Sequence, residues 1–260
     1  MARKEGDFLK GVLGDVILRV LNGKQVMQRR IPKGSAKHTS NTKWCSETFG
    51  MAASLSGKIR HTLASRIMRD ADILVSGRLN GIVYPLILQV RDRKTGICSF
   101  DIDSFQSLKR FNFNSAKPLE RLMRVEPLIQ LEDQQLTVAF PKMEVSSAIK
   151  FPYQSERCKM SVALSLFRLA DGKMLERCIT QQQMLLRPLA PFAANEFIFN
   201  VPNGCLYIVT LWLEYETRTS KGILLRNLPK LYSGSICEAR IAPGQFIEDN
   251  QYLWTDMISL

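Results

Sequence analysis

The chain has 260 residues, 45% of them hydrophobic and 23% charged, proportions that suit a soluble globular protein with enough apolar material for its own core. Its formal charge of +12 is unevenly placed: residues 1–70 hold 14 Lys and Arg against 5 Asp and Glu, residues 71–124 hold 9 against 5, and residues 125–260 hold 13 against 14. Six scattered cysteines with no Cys-x-x-Cys pair, and two histidines (His38 and His61), offer no zinc-ligand spacing. No apolar run reaches the length of a membrane span.

Near the start, Lys10 and Asp15 interrupt the apolar run of residues 8–19, so no secretion signal is expected there. A cytoplasmic, reducing setting with six reduced thiols follows as the expectation. Residues 14–30 read as a β-hairpin, two alternating runs joined by Asn22-Gly23, which supplies the two positive-φ positions of a tight turn. Residues 32–42 are poor in apolar side chains and rich in Lys, Ser and Thr, as in an extended basic loop. A helix follows, with Thr39 or Ser40 as N-cap and an apolar stripe through Trp44, Thr48, Ala52, Leu55, Ile59, Leu63 and Ile67. Gly50 and Gly57 lie on this helix, either to allow close packing or to mark a break.

The middle of the chain supports two readings. Residues 82–90 form a continuous apolar run that suits a buried strand bent by Pro85, followed by a turn at 91–96 and a returning strand at 97–100; a helix over 70–90 is the competing reading. From residue 136 the pattern is all-β. Strands are expected at 136–140, 148–151, 160–169, 175–186, 197–201, 206–217 and 235–241, with Asp171-Gly172 as a second hairpin turn. Seven strands in this length suggest an immunoglobulin-like or fibronectin-like sandwich. The last residues, 246–260, either pack back on that sandwich or form a docking peptide for a neighbouring subunit.

The stretch Leu108-Lys109-Arg110-Phe111-Asn112-Phe113-Asn114, with Pro118, Leu119, Leu122 and Pro127 after it and then Leu136-Thr137-Val138-Ala139-Phe140-Pro141, Ile149 and Pro152, resembles a family of uncharacterised bacterial proteins. That family carries an aromatic-rich "FEFN"-type stretch ahead of a β-sandwich, and an N-terminal glycine-containing hairpin, a basic Pro-Lys segment and a helix, here residues 14–30, Pro32-Lys33 and residues 42–67. Asn112 stands where the family's stretch has an acidic residue. The resemblance implies a fold and no assigned activity.

The expected architecture is therefore α+β: a basic N-terminal hairpin-and-helix module over residues 1–124, an all-β sandwich over 125–245 and a tail over 246–260. Lys24, Arg29, Arg30, Lys33, Lys37 and Lys43 are the candidate partner-binding residues, since clustered cations on a hairpin and loop suit an acidic protein surface or the phosphates of a nucleic acid. Trp44 and His61 are possible base-stacking partners. No helix-turn-helix, zinc-finger or RNA-recognition motif accompanies them.

For catalysis, no nucleophile motif pairs with His61. Asp101 and Asp103, spaced to share one side of a strand, and Glu214 and Glu216 on the 206–217 strand read as solvated carboxylates. Lys33-Gly34-Ser35 lacks the earlier glycine of a phosphate loop. The expected function is non-enzymatic: a structural or interaction protein, self-assembling or bound to another protein through its basic arm, as in a virion-type or other assembled structure. No cofactor, no metal and no membrane contact is implied, and a homo-oligomer is expected. Nucleic-acid binding by the same arm is the alternative.

Overall fold

The computed structural model describes residues 2–31, 39–63, 71–151, 155–186, 191–192, 195–218, 224–226, 232–248 and 251–257. The chain divides into two units, Met1–Ser46 and Glu47–Leu260.

In the first unit, β1 (Arg3–Glu5), β2 (Phe8–Leu13), β3 (Val16–Leu21) and β4 (Lys24–Arg29) form an antiparallel sheet in chain order. Two-residue turns close all three hairpins, with positive φ at Gly6 (62°), Gly14 (57°) and the pair Asn22 (49°) and Gly23 (74°). Positive φ gives such short turns the twist of the strands they join. The expected hairpin is thus present as β3–β4, in register from Leu21↔Lys24 to Val16↔Arg29. Two further strands precede it. Gln25 locks the far side of the sheet: its side-chain amide accepts from Leu9 N–H (2.8 Å) and donates to the Leu9 carbonyl (2.9 Å), standing in for a backbone neighbour. The basic loop expected from Pro32 lies, over residues 32–38, outside the described residues.

Thr39 caps α1 (Ser40–Thr62): its hydroxyl accepts from Thr42 N–H at 3.1 Å and its carbonyl from Lys43 N–H at 3.0 Å. The helix runs unbroken through Gly50 and Gly57 and buries Thr48, Ala52, Leu55 and Ile59 of the expected stripe, with Ser56 and Thr62 beside them, while Ile67 lies outside the described residues. Residues 75–90 form α2 (Val75–Val90), with Pro85 inside it, so the strand expected at 82–90 is corrected to the competing helix. Val75, Leu79, Val83, Leu86 and Ile87 are its buried residues, a spacing of three and four that outweighs the short apolar run. The turn at 92–96 is present, with Asp92 Oδ1 accepting from the backbone N–H of Lys94 (2.9 Å) and Thr95 (2.7 Å). The returning strand is reduced to one isolated bridge, Arg91↔Cys98.

The remaining elements are β5 (Leu128–Glu132), β6 (Gln135–Phe140), β7 (Met143–Glu144), α3 (Val145–Ala148), β8 (Ser155–Arg168), β9 (Lys173–Leu175), β10 (Ile179–Leu186), β11 (Pro191–Phe192), β12 (Asn195–Asn200), β13 (Leu206–Arg218), β14 (Leu224–Arg226), β15 (Tyr232–Ile241) and β16 (Trp254–Asp256). β8 and β13 form the centre of a broad antiparallel sheet. β10 and β9 flank β8, β15 and β14 flank β13, and β16 extends β9. A small sheet has the order β12-β6-β5, and β7 pairs with β11. The described chain is mixed α+β and mostly β.

Strand periodicity sorts the broad sheet into two cores. Met160, Val162, Leu164 and Leu166 of β8, with Val209, Leu211 and Leu213 of β13, meet Leu136, Val138, Phe140, Phe197 and Phe199 of the small sheet. On the opposite face, Ala163, Phe167, Ile208, Trp212, Ile236 and Ala239 meet Leu55 and Ile59 of α1 and Leu79, Val83 and Ile87 of α2. Each fully buried side chain of this size stabilises the fold by about 1.5–3 kcal/mol. Phe105, Leu108, Phe111 and Phe113 belong to the helix-side core. The second unit therefore begins within α1, not near residue 125, because residues 71–124 supply part of its interior.

The strand assignment changes in two places. Of residues 148–151, for which the pattern predicts a strand, Ala148 ends the short helix α3, and Ile149 is extended (φ −125°, ψ 126°) but pairs only in the isolated bridge Met123↔Ile149. β5 was not expected; it alternates, and joins β6 through Asp133 (φ 45°) and Gln134 (φ 69°) without a glycine. The tail packs back: β16 pairs with β9, and Met257, 3% exposed, enters the helix-side core.

The stretch 108–114 closes the outer edge of β15. Arg110 N–H donates to the Ile236 carbonyl (2.7 Å), Phe113 N–H to Gly234 (3.0 Å), and Ile236 N–H to Phe111 (3.0 Å). Phe111 and Phe113 point to the core while Asn112 points away, accepting from Leu119 N–H (2.8 Å) and donating Nδ2 to both oxygens of Glu120 (3.3 and 3.2 Å). Asp72 fastens this stretch to α2. Its carboxylate accepts from Leu74 N–H, Arg78 Nη2 (2.7 Å), and the Ser115 N–H (2.8 Å) and hydroxyl (2.9 Å).

Candidate partner-binding surface

β4 carries Lys24 and Arg29 at its two ends, and pairing fixes which way each points. Lys24 shares a face with Leu21, Arg19, Val26 and Ile17; Arg29 shares the other with Val16, Leu18, Met27 and Leu13. The two cations thus stand on opposite faces, both exposed, and the structure does not gather them into one patch. Arg19, not singled out from the sequence, is exposed on the Lys24 face, diagonal to it. Its position within the alternation of β3 is the signal that could have found it.

Arg30 is exposed, and its N–H donates to the Asp15 carbonyl at 2.6 Å, closing the base of the hairpin. Lys43 is exposed in the first turn of α1, where a cation opposes the helix dipole. Lys33 and Lys37 lie outside the described residues.

Apolar side chains are exposed among these cations: Leu9, Leu13, Leu21 and Met27 at 45–69%. Leu18 is the single buried residue of 2–31. β4 is the end strand of its sheet among the described residues, so its outward backbone groups resemble those that accept an added strand.

The other residues weighed for chemistry are dispersed. Trp44 is half-buried on α1, and His61 is exposed on its last turn. Asp101 and Asp103 lie in a turn, not on a strand. There Asp101 N–H meets the Ser104 hydroxyl (2.8 Å) and Asp103 pairs with Arg240 (2.6 Å). The expectation of solvated carboxylates on β13 is corrected, for Glu216 is 7% exposed, and Glu214 is paired with Lys159 across β8, its side chain 18% exposed. None of the six cysteines is joined in a disulfide. Burial drives the Cys158 thiol and the Tyr215 phenol far above their ordinary ranges, so both stay protonated and inert. Among the described residues no group of three His, Cys, Asp or Glu side chains is placed to hold a metal, and no helix is long and apolar enough to cross a membrane.

No family model, curated protein or solved structure matches the chain.

Proposed function

We propose that the protein is a non-enzymatic structural or interaction protein whose N-terminal β-meander grips a partner while the β-rich second unit serves as a rigid scaffold. One observation carries this reading: a four-stranded sheet that buries only Leu18 exposes leucines and a methionine interleaved with Arg19, Lys24 and Arg29 on both faces. Surfaces of this mixed kind are completed by another macromolecule. Ten Lys and Arg against three Asp and Glu in residues 1–46 favour an acidic protein surface. Assembly of several copies is the form proposed, with the cations meeting the more acidic part of a neighbour.

The scaffold reading draws on strand order. With β5, β6, β8, β10, β12, β13 and β15 taken in turn, the first, second and fifth form one sheet and the third, fourth, sixth and seventh the other. That order supports the reading of a fibronectin-like sandwich with helices laid over the outer face of its larger sheet.

Light scattering on the freshly purified chain at low and high salt, with absorbance read at 260 and 280 nm on the same peak, tests the proposal. An oligomer free of nucleic acid, weakened when Arg19, Lys24 and Arg29 are changed to Glu, is the expected result. A monomer carrying 260-nm-absorbing material that salt strips away would replace it with nucleic-acid binding through the same cations.

A further inference from the structure

The β15 flank of the broad sheet carries one irregularity. Val209 lies opposite Glu238 and Thr210 opposite Ile236, so Cys237 is an extra residue in a β-bulge. Ile236 and Ala239, three apart, both sit in the helix-side core, whereas an unbroken strand would turn them to opposite faces. The bulge therefore aims Cys237 and Glu238 together at the other face. There they border a hollow of about 210 Å³ walled by Leu119, Met123, Val125, Leu128 and Leu211. An apolar cavity of ~150 Å³ accepts benzene, so this one has room for a single ring with a short arm.

The polar groups of the hollow have a sign. Three carboxylates, Glu120, Glu126 and Glu238, face two cations, Lys109 and Arg110. Arg110 Nη2 is committed to Glu126 at 2.5 Å, and Glu120 takes the Asn112 amide. Glu238 is less fully engaged: Oε1 accepts from Ala239 N–H at 3.2 Å, and Oε2 lies 3.4 Å from Lys109 Nζ, a long contact for a carboxylate whose side chain is 11% exposed. Burial, with the Glu126 and Glu120 carboxylates adding to it, pushes the Cys237 thiol up to about 12, so it lines the wall as a neutral group.

We infer that this hollow is a binding site for a small ligand with one aromatic or branched aliphatic body and a cationic head, an arylalkylamine in its simplest form. The body lies against Met123, Val125 and Leu211, and the ammonium takes Glu238 Oε2 in place of Lys109.

Titrating the full chain with phenethylamine and, separately, 3-phenylpropionate, by calorimetry and ligand-observed NMR, tests the site. Phenethylamine is expected to bind about tenfold more tightly, the difference one charge-assisted hydrogen bond makes. Glu238→Gln is expected to erase that preference. Leu128→Trp, at a mouth position 59% exposed and so compatible with the fold, is expected to abolish binding of both probes. Failure of phenethylamine to bind, equal affinity for the two probes, or binding unchanged by Leu128→Trp would overturn the inference.

Discussion

The β1–β4 sheet and the broad sheet of the second unit are both antiparallel and both turn through positive-φ residues, yet they meet water in opposite ways. β8 and β13 bury both faces, one under two helices and one under the small sheet, while β1–β4 bury Leu18 alone. Hydrogen-bonded ladders are common to both, so they do not explain the difference; covering layers do. A ladder supplies geometry, and burial supplies most of the free energy. The β1–β4 sheet keeps Leu9, Leu13, Leu21 and Met27 exposed.

Cutting into each region sharpens that contrast. Trp212→Ala, at a fully buried position, is expected to destabilise the second unit by about 3–5 kcal/mol in urea unfolding. Leu18→Ala is expected to leave the same transition within about 0.5 kcal/mol, because it lies in the other unit. Equal losses would show that the two sheets fold as one cooperative body.

A smaller effect is expected at Asp72, which ties α2 to the aromatic stretch. Burial alone would raise its pKa, but hydrogen bonds from Ser115 and Arg78, with the Arg78 charge, hold it below 3.8. Its contribution is therefore complete above the unfolded-state value and disappears as pH falls through the lower folded-state value. Asp72→Asn is expected to cost about 1–3 kcal/mol at neutral pH. In stability measured against pH, the decline below about pH 4 that belongs to this carboxylate should be missing from the variant.

The smallest expected change is Asn112→Asp. It removes the Nδ2 donor to Glu120 and sets two carboxylates side by side, at a cost of about 0.5–1 kcal/mol on this exposed pair. Adding Glu120→Gln should recover most of the loss. A double-mutant cycle with no coupling would place the loss in the other Nδ2 bond of Asn112, to the Arg110 carbonyl (3.2 Å), since an aspartate keeps the acceptor for Leu119 N–H.

Legibility in the sequence followed how local each signal is. Asn22-Gly23, the α1 stripe and the long strands β8, β13 and β15 depend on neighbours within a few residues and could be read directly. β1 and β2 carry a fainter signal: Gly6, Gly14 and Asn22 mark a turn every eight residues, but the Gly-Asp pairs announce a hairpin less strongly than Asn-Gly. β5 was hidden by Asp133-Gln134, a positive-φ pair with no glycine to announce it. Helix α2 was ambiguous because its apolar run near Pro85 fits either period over a short window. The candidate surface was legible in residue type and not in direction: Lys24 and Arg29 were both singled out, but only the register shows that they face opposite ways. The bulge at Cys237 depends on a pairing shift between distant strands, which leaves no mark in composition.

The aromatic stretch has a bearing on solubility. By bonding to Gly234 and Ile236, residues 110–113 occupy the outer rim of β15 as a built-in stopper. Sheets that end in an open strand invite stacking into fibres by end-to-end templating. On this flank the protein has used its own preceding segment to terminate growth, so a copy whose stopper was dislodged would offer a template for filament formation.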